Sequence, residues 1–282
     1  MTRKEKNNRK TDQAWTTLYN RLEKDGLITQ AETPRPSLRL TAFKWTAAAV
    51  ILLCTYLSIN YFNQTEKVID RNLLTRQNME TTTLATTLED GSIVYLAGNA
   101  AIHYPEHFQP DKREISLQGN ALFDIAGNRK RPFLIETEDA RIEVLGTAFN
   151  VKSDGSQPFE LSVQRGLVKV TLKKSGQDVH VKAGETVTLS SRKLQVRQTK
   201  DTGQFEEYVR QIRFKDERLA DILRVINLNA ENISLKTTPE LESRTLTVTF
   251  ADNSPETMAE LICFALDLKC TRENNVITLH EN

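Results

Sequence analysis

The pattern of apolar and polar positions divides the chain into four parts. In the first, Trp15, Leu18, Tyr19 and Leu22 fall at i, i+3, i+4 and i+7, the stripe of an amphipathic helix. Thr11 or Asp12 can cap its start and Gly26 can end it, while Pro34 and Pro36 break the chain beyond it. The charged residues 1–10 are read as disordered. The second part, residues 45–65, is a run of 21 residues without a charge. As a helix rising about 1.5 Å per residue, such a run reaches roughly 30 Å, the thickness of one bilayer core. Lys44 and Trp45 at one end and Tyr61 toward the other suit the two membrane interfaces. With 44 residues ahead of the run and no A-x-A-like site closing it, an uncleaved span is expected rather than a secretory signal.

From residue 81 the period becomes two. About a dozen short alternating runs follow, separated by turn signals such as Asp90-Gly91, Gly119-Asn120, Gly127-Asn128, Asp154-Gly155, Arg165-Gly166 and Ala183-Gly184. They predict an all-β domain, solenoid- or sandwich-like, over 81–198, with the polar stretch 66–80 as a tether. The fourth part repeats itself: residues 212–226 align with 248–262 at an offset of 36. Each copy reads as strand, cap and helix, with Asp216 or Ser254 as cap and Pro255 at a first helical position. Strands at 233–236, 268–271 and 276–279 complete a small α+β domain with two β-α-β units over 205–282. The fold class is thus a single-span membrane protein: a leader (1–40), a transmembrane helix (41–65), an exported all-β domain and a small α+β domain.

Charge sets the orientation. Residues 1–44 hold ten Lys/Arg against five Asp/Glu, a net of +5; the whole chain is +1, so the remainder carries −4. The basic end stays in the cytoplasm and everything after residue 65 is exported. Juxtamembrane Lys/Arg beside anionic lipid accounts for the basic leader without nucleic acid. Three cysteines form no disulfide framework. Cys54 lies in the apolar run; Cys263 and Cys270 suit apolar core positions, although a disulfide between them is open in an oxidising compartment.

No enzyme constellation is visible, and no cofactor is implied. His103 and His107 flank Glu106, but Pro105 interrupts the helical spacing a metal pair needs. About forty leader residues with one apolar stripe cannot bury a core. The stripe therefore needs a partner, and Trp15, Leu18, Tyr19 and Leu22 are the candidate contacts.

Several stretches taken in order resemble FecR-type anti-sigma regulators. They are Asp90-Gly91-Ser92 in 88–96, then 113–126 with Gly119 and Phe123, 132–135, 144–151 with Gly146-Thr147, 166–170, and Ala183-Gly184-Glu185. Asn120 stands where the family usually has an acid. The α+β segment resembles the short N-terminal domain of secretins and TonB-dependent receptors. The resemblance implies a leader that binds an extracytoplasmic-function sigma factor. It also implies exported domains that meet the signalling domain of an outer-membrane TonB-dependent transporter, and a membrane protease that frees the sigma factor. An inner-membrane protein with a cytoplasmic N-terminus and a periplasmic C-terminal part follows. The Gly146–Thr147 bond is, by the same resemblance, a candidate self-cleavage site; a tight bend needing glycine, followed by a β-branched strand residue, is the favoured explanation of the pair. The competing expectation is a membrane-anchored periplasmic adaptor or glycan-binding protein without a sigma partner.

Overall fold

The computed structural model describes residues 3–26, 55 and 73–282. The predicted span 45–65 lies, Thr55 apart, outside the described residues, as do Lys44, Trp45 and Tyr61. Among the described residues no helix is long and apolar enough to cross a membrane. The chain divides into two compact units, Met1–Ile69 and Asp70–Asn282, each described by itself.

In the first unit helix α1 covers Arg3–Lys24. It begins well before Thr11, so the expected disorder of residues 1–10 is corrected from residue 3 onward. The cause is composition: 3–10 hold Lys, Arg, Glu and Asn without Gly or Pro, and Lys, Arg and Glu propagate a helix at little cost.

The second unit opens with fourteen strands. They are β1 (Leu73–Gln77), β2 (Thr83–Thr87), β3 (Ile93–Leu96), β4 (Ala101–Pro105), β5 (Arg113–Gln118), β6 (Ala121–Asp124) and β7 (Phe133–Glu136), then β8 (Ala140–Val144), β9 (Ala148–Lys152), β10 (Glu160–Arg165), β11 (Leu167–Leu172), β12 (Asp178–Lys182), β13 (Glu185–Ser190) and β14 (Lys193–Gln198). After a short 3-10 turn and one helical turn come β15 (Gln211–Arg218), α2 (Leu219–Asn229), β16 (Ser234–Thr237), β17 (Thr245–Ala251), α3 (Pro255–Leu266), β18 (Leu268–Glu273) and β19 (Val276–Glu281). β1 falls inside the stretch predicted as a tether, which is corrected there: it pairs antiparallel with β4.

Two large sheets face each other. One runs β1-β4-β5-β7-β8-β11-β12, the other β14-β13-β10-β9-β6-β3-β2-β15-β17. One apolar cluster draws on both, with Ile115, Phe133, Ile142 and Val170 from the first and Val94, Phe123, Phe149 and Leu161 from the second. The β region is therefore a sandwich. β5, β7 and β8 alternate buried and accessible residues, as one-sided strands must. β3 is buried throughout because both its faces are covered. Val94 and Leu96 enter the sandwich core, while Ile93 and Tyr95 enter a second cluster with Phe214, Ile222, Phe250 and Ile262.

A buried ion pair joins the two sheets. Arg113 of β5 is 1% exposed. Its Nη1 donates to Asp90 Oδ2 at 2.6 Å and to the Ala126 carbonyl at 2.8 Å, and its Nε donates to the Arg131 carbonyl at 3.0 Å. The guanidinium lies 5.2 Å from the Phe133 ring centre. Asp90 also accepts from the Ser92 amide at 3.0 Å and the Ser92 hydroxyl at 2.7 Å. The Asp-Gly-Ser turn is thus the anionic socket for an arginine from the opposite sheet.

The C-terminal segment is built onto the same sheet. β15 pairs in parallel with β2, Ile212 to Phe214 against Thr83 to Ala85. Glu217 is buried at this junction and accepts from the Thr86 hydroxyl at 2.7 Å. Asn150 of β9 donates to Gln204 Oε1 at 3.1 Å and accepts from the Tyr208 hydroxyl at 3.0 Å. β16-β19-β18 form a third sheet. Ser254 caps α3 by accepting from the Thr257 amide at 3.3 Å, with Pro255 leading the helix. α2 differs: Arg218 holds the cap position. Asp216 sits at φ 52° within a break in the β15 register, as does its repeat equivalent Asp252 at φ 52° just past β17. Cys263 of α3 and Cys270 of β18 form a disulfide, which corrects the reading of each as a separate core residue. The left-handed Asp267 at φ 55° turns the chain back between them.

Two measurements check these assignments. Arg113→Met should lower unfolding free energy by about 3–5 kcal/mol in urea titrations, the cost of leaving a buried carboxylate unpaired; a loss below about 1 kcal/mol would show that the pair does not fix the sheets. Burial raises the Glu217 carboxyl above its ordinary 4.5, against the lowering effect of the Thr86 hydrogen bond. The native state then holds a proton that the unfolded chain has released, so stability falls as pH rises from 4.5 through the raised value. Glu217→Gln keeps the acceptor and removes the charge; it should stabilise the protein at neutral pH, with the gain vanishing near pH 4.

Candidate functional site

Three places contain the residues singled out from the sequence. The first is α1. Trp15 is 63% exposed, Leu18 48% and Tyr19 57%, and Leu22 is half-buried. Along the same turns the Thr16 and Thr17 hydroxyls donate to the carbonyls of Asp12 and Gln13 at 2.8 and 2.7 Å, so neither displaces the helical ladder. Arg21 and Lys24 occupy the last turn, where positive charge complements the helix dipole. The stripe is an exposed aromatic-aliphatic surface along the helix.

The second is the turn at 145–147 between β8 and β9. Gly146 has φ 152°, and a Cβ there would lie 2.6 Å from Gly127 Cα, so only glycine fits. Gly166 at φ 92° presses from the other side: a Cβ on it would lie 2.4 Å from Thr147 Cγ2 and 3.2 Å from the Gly146 carbonyl oxygen. Thr147 is 2% exposed, and its hydroxyl has no hydrogen-bond partner. Its backbone is held by the Ile125 amide, which donates to the Thr147 carbonyl at 2.9 Å, and the Asn128 amide donates to the Leu145 carbonyl at 2.7 Å. A cleft of about 620 Å³ opens beside the turn, lined by Asn128, Glu143, Lys169 and His180 among others. Register places the last three in a row, Glu143 opposite Lys169 and Lys169 opposite His180. The arrangement holds a free hydroxyl next to a glycine carbonyl, with ionisable side chains nearby.

The third place, the His103–His107 stretch, is taken apart by the fold. His103 Nδ1 lies 2.8 Å from the Thr75 hydroxyl, and His107 Nδ1 lies 3.0 Å from Glu89 Oε2. That hydrogen bond raises the His107 imidazole above its ordinary 6.5. Among the described residues no group of three His, Cys, Asp or Glu is placed to hold a metal. Sequence reading did not single out Asn150, Gln204 and Tyr208, because polar residues inside a strand and a linker carry no periodic signal.

Comparison with known proteins adds the following. A family model described as FecR protein matches residues 77–169. No curated protein matches the sequence. Two crystal structures of a candidate anti-sigma factor from Parabacteroides distasonis ATCC 8503 are similar to the chain, at 20% and 19% identity. Each likeness covers 74% of this chain and 99% of the other, with TM-scores of 0.46 and 0.45. The matched stretch runs from the end of β1 into β11, and includes the Asp90 socket, Arg113 and the Gly146–Thr147 turn. Over residues 77–169, a third of its length, the chain is thus similar to the FecR family model.

Proposed function

We propose that the chain is a transmembrane anti-sigma factor. The observation that carries this reading is the exposed stripe of α1, Trp15, Leu18 and Tyr19, on the same chain as a stretch similar to the FecR model. An aromatic stripe on a helix with no core of its own is completed by a partner's groove. In this reading residues 1–40 hold an extracytoplasmic-function sigma factor at the cytoplasmic face of the inner membrane. Residues 45–65 cross the membrane. The periplasmic part meets the signalling domain of an outer-membrane TonB-dependent transporter, and the α+β segment resembles a domain found at the N-terminus of such receptors. A single helix is a poor conduit for a conformational change, since coupling needs an element with two states. A cut by a membrane protease supplies them: sigma factor tethered, then sigma factor freed with the leader.

The Gly146–Thr147 turn supports a second, internal cut. The Thr147 hydroxyl oxygen adds to the Gly146 carbonyl carbon, the C–N bond breaks, and the amine takes the hydroxyl proton. Water then hydrolyses the resulting ester, leaving a Gly146 carboxylate and a new Thr147 N-terminus. The unpartnered hydroxyl is the observation that favours it.

Residues 1–44 used as bait should retain a sigma factor. Trp15→Ala and Leu22→Ala should each weaken binding by about 2 kcal/mol, roughly thirtyfold. Absence of any sigma factor would favour the periplasmic adaptor or glycan-binding reading. For the internal cut, immunoblots of the expressed chain should show two fragments, with N-terminal sequencing reading from Thr147. Thr147→Ser should preserve the fragments and Thr147→Val should abolish them; fragments that persist in the valine variant would exclude the acyl shift.

A further inference from the structure

The three sheets have six edges: β1 and β12, β14 and β17, β16 and β18. Five carry charge: Arg76 in β1, Asp178 and Lys182 in β12, Lys193 and Arg197 in β14, Lys236 in β16, and Lys269, Arg272 and Glu273 in β18. Charged edge residues discourage strand addition. β17, Thr-Leu-Thr-Val-Thr-Phe-Ala over seven residues, has neither a charge nor a proline. It pairs with β15 on one side; among the described residues no strand pairs with the other, where only the Ala251 amide is taken, donating to Asn253 Oδ1 at 2.7 Å. Thr245, Thr247, Thr249 and Ala251 are exposed along it.

The residues on and around β17 are arranged symmetrically about Val248. Antiparallel pairing of two copies about a two-fold axis through Val248 sets Thr247 opposite Thr249 of the second copy. It sets Leu246 opposite Phe250, and Thr245 opposite Ala251. One step beyond the strand, the two-fold brings Arg244 of one copy near Asp252 of the other, which stands on a left-handed backbone at φ 52°, and it does so twice. Both side chains reach solvent, although each already has a partner. Arg244 is 42% exposed while 2.7 Å from Glu281, and Asp252 is 69% exposed while 3.8 Å from Arg210. β-branched and threonine pairs directly opposite one another, with opposite charges at the ends, are the favourable cross-strand set.

We propose that two copies of this chain associate through antiparallel pairing of β17 with β17, centred on Val248 and fixed in register by Arg244–Asp252 pairs. The pairing would continue the nine-stranded sheet of one copy into that of the other.

Cross-linking in cells expressing the full chain tests this. Cys54→Ser leaves the Cys263–Cys270 pair as the only native cysteines. In that background, oxidation of Val248→Cys should give a linked dimer, because residues directly opposite have Cβ atoms about 4.5–5.5 Å apart. Thr247→Cys, whose opposite residue is Thr249, should give roughly tenfold less. In the Val248→Cys chain, Arg244→Asp or Asp252→Arg alone should cut the dimer about tenfold by opposing like charges, and the two together should restore it. Arg244→Asp also sets an acid beside Glu281, so recovery in the double variant separates pairing from folding. Failure of Val248→Cys to cross-link, a dimer indifferent to the charge exchange, or cross-linking to a different protein in place of a second copy would each overturn the proposal.

Discussion

One arginine decides how the β region closes. Arg113 sits on the seven-stranded sheet and its anion sits on the other, so neither sheet can bury its inner face without bringing that pair together. A charge so deeply buried is tolerated only when its hydrogen bonds are supplied. Here three are supplied, by Asp90 and by the carbonyls of Ala126 and Arg131, the face of Phe133 lies beside the group, and Nη2 alone has no partner. The donors and acceptors belong to four separate turns and strand ends. Their convergence fixes the sandwich at one end, and the apolar cluster fills what lies between the sheets. The conversion of a polar turn into an anion socket also explains why Asp90, Gly91 and Ser92 occur together. Asp90 binds the guanidinium, Gly91 adopts φ 79°, and Ser92 braces the carboxylate and accepts from the Ala126 amide.

Much of the fold was legible because it is periodic. The i, i+3, i+4, i+7 stripe of α1, the alternation after residue 81 and the 36-residue repeat each announce a face to be covered. What periodicity does not encode is which distant element does the covering. β15 lies against β2, about 130 residues earlier, and no local feature of either strand signals the other. The same holds for β1. Its Leu-Leu-Thr-Arg-Gln is a half-exposed edge and resembles polar tether until β4 is placed beside it. Arg113 was legible only as the polar start of a strand. Cys263 and Cys270 each fit an apolar pattern; their bond depends on a left-handed reversal at Asp267, a non-glycine position that sequence rules assign poorly. Of the candidate sites, the α1 stripe and the glycine requirement at Gly146 could be read directly. The unpartnered Thr147 hydroxyl could not, because it depends on surroundings set by distant turns, Gly166 among them.

The stretch that matches the FecR model shares the nine-stranded sheet with the segment beyond it. β3 has one face in the sandwich core and the other in the C-terminal cluster, so its four residues are shared between the two. Glu217 and the Asn150–Tyr208 contact add polar fastening at the same boundary. A load on the α+β segment would reach the sandwich core through the backbone pairing of β15 with β2.

The strand order also determines what a break at the 145–147 turn accomplishes. Strands before the turn interleave with strands after it, β6 beside β9, β8 beside β11, and β2 beside β15. A chain opened between Gly146 and Thr147 would stay one body, held by three strand pairings. The break acts as a perforation and releases nothing until something pulls. Parting the pieces requires mechanical work along those ladders, so a chain nicked here would come apart under load rather than on nicking.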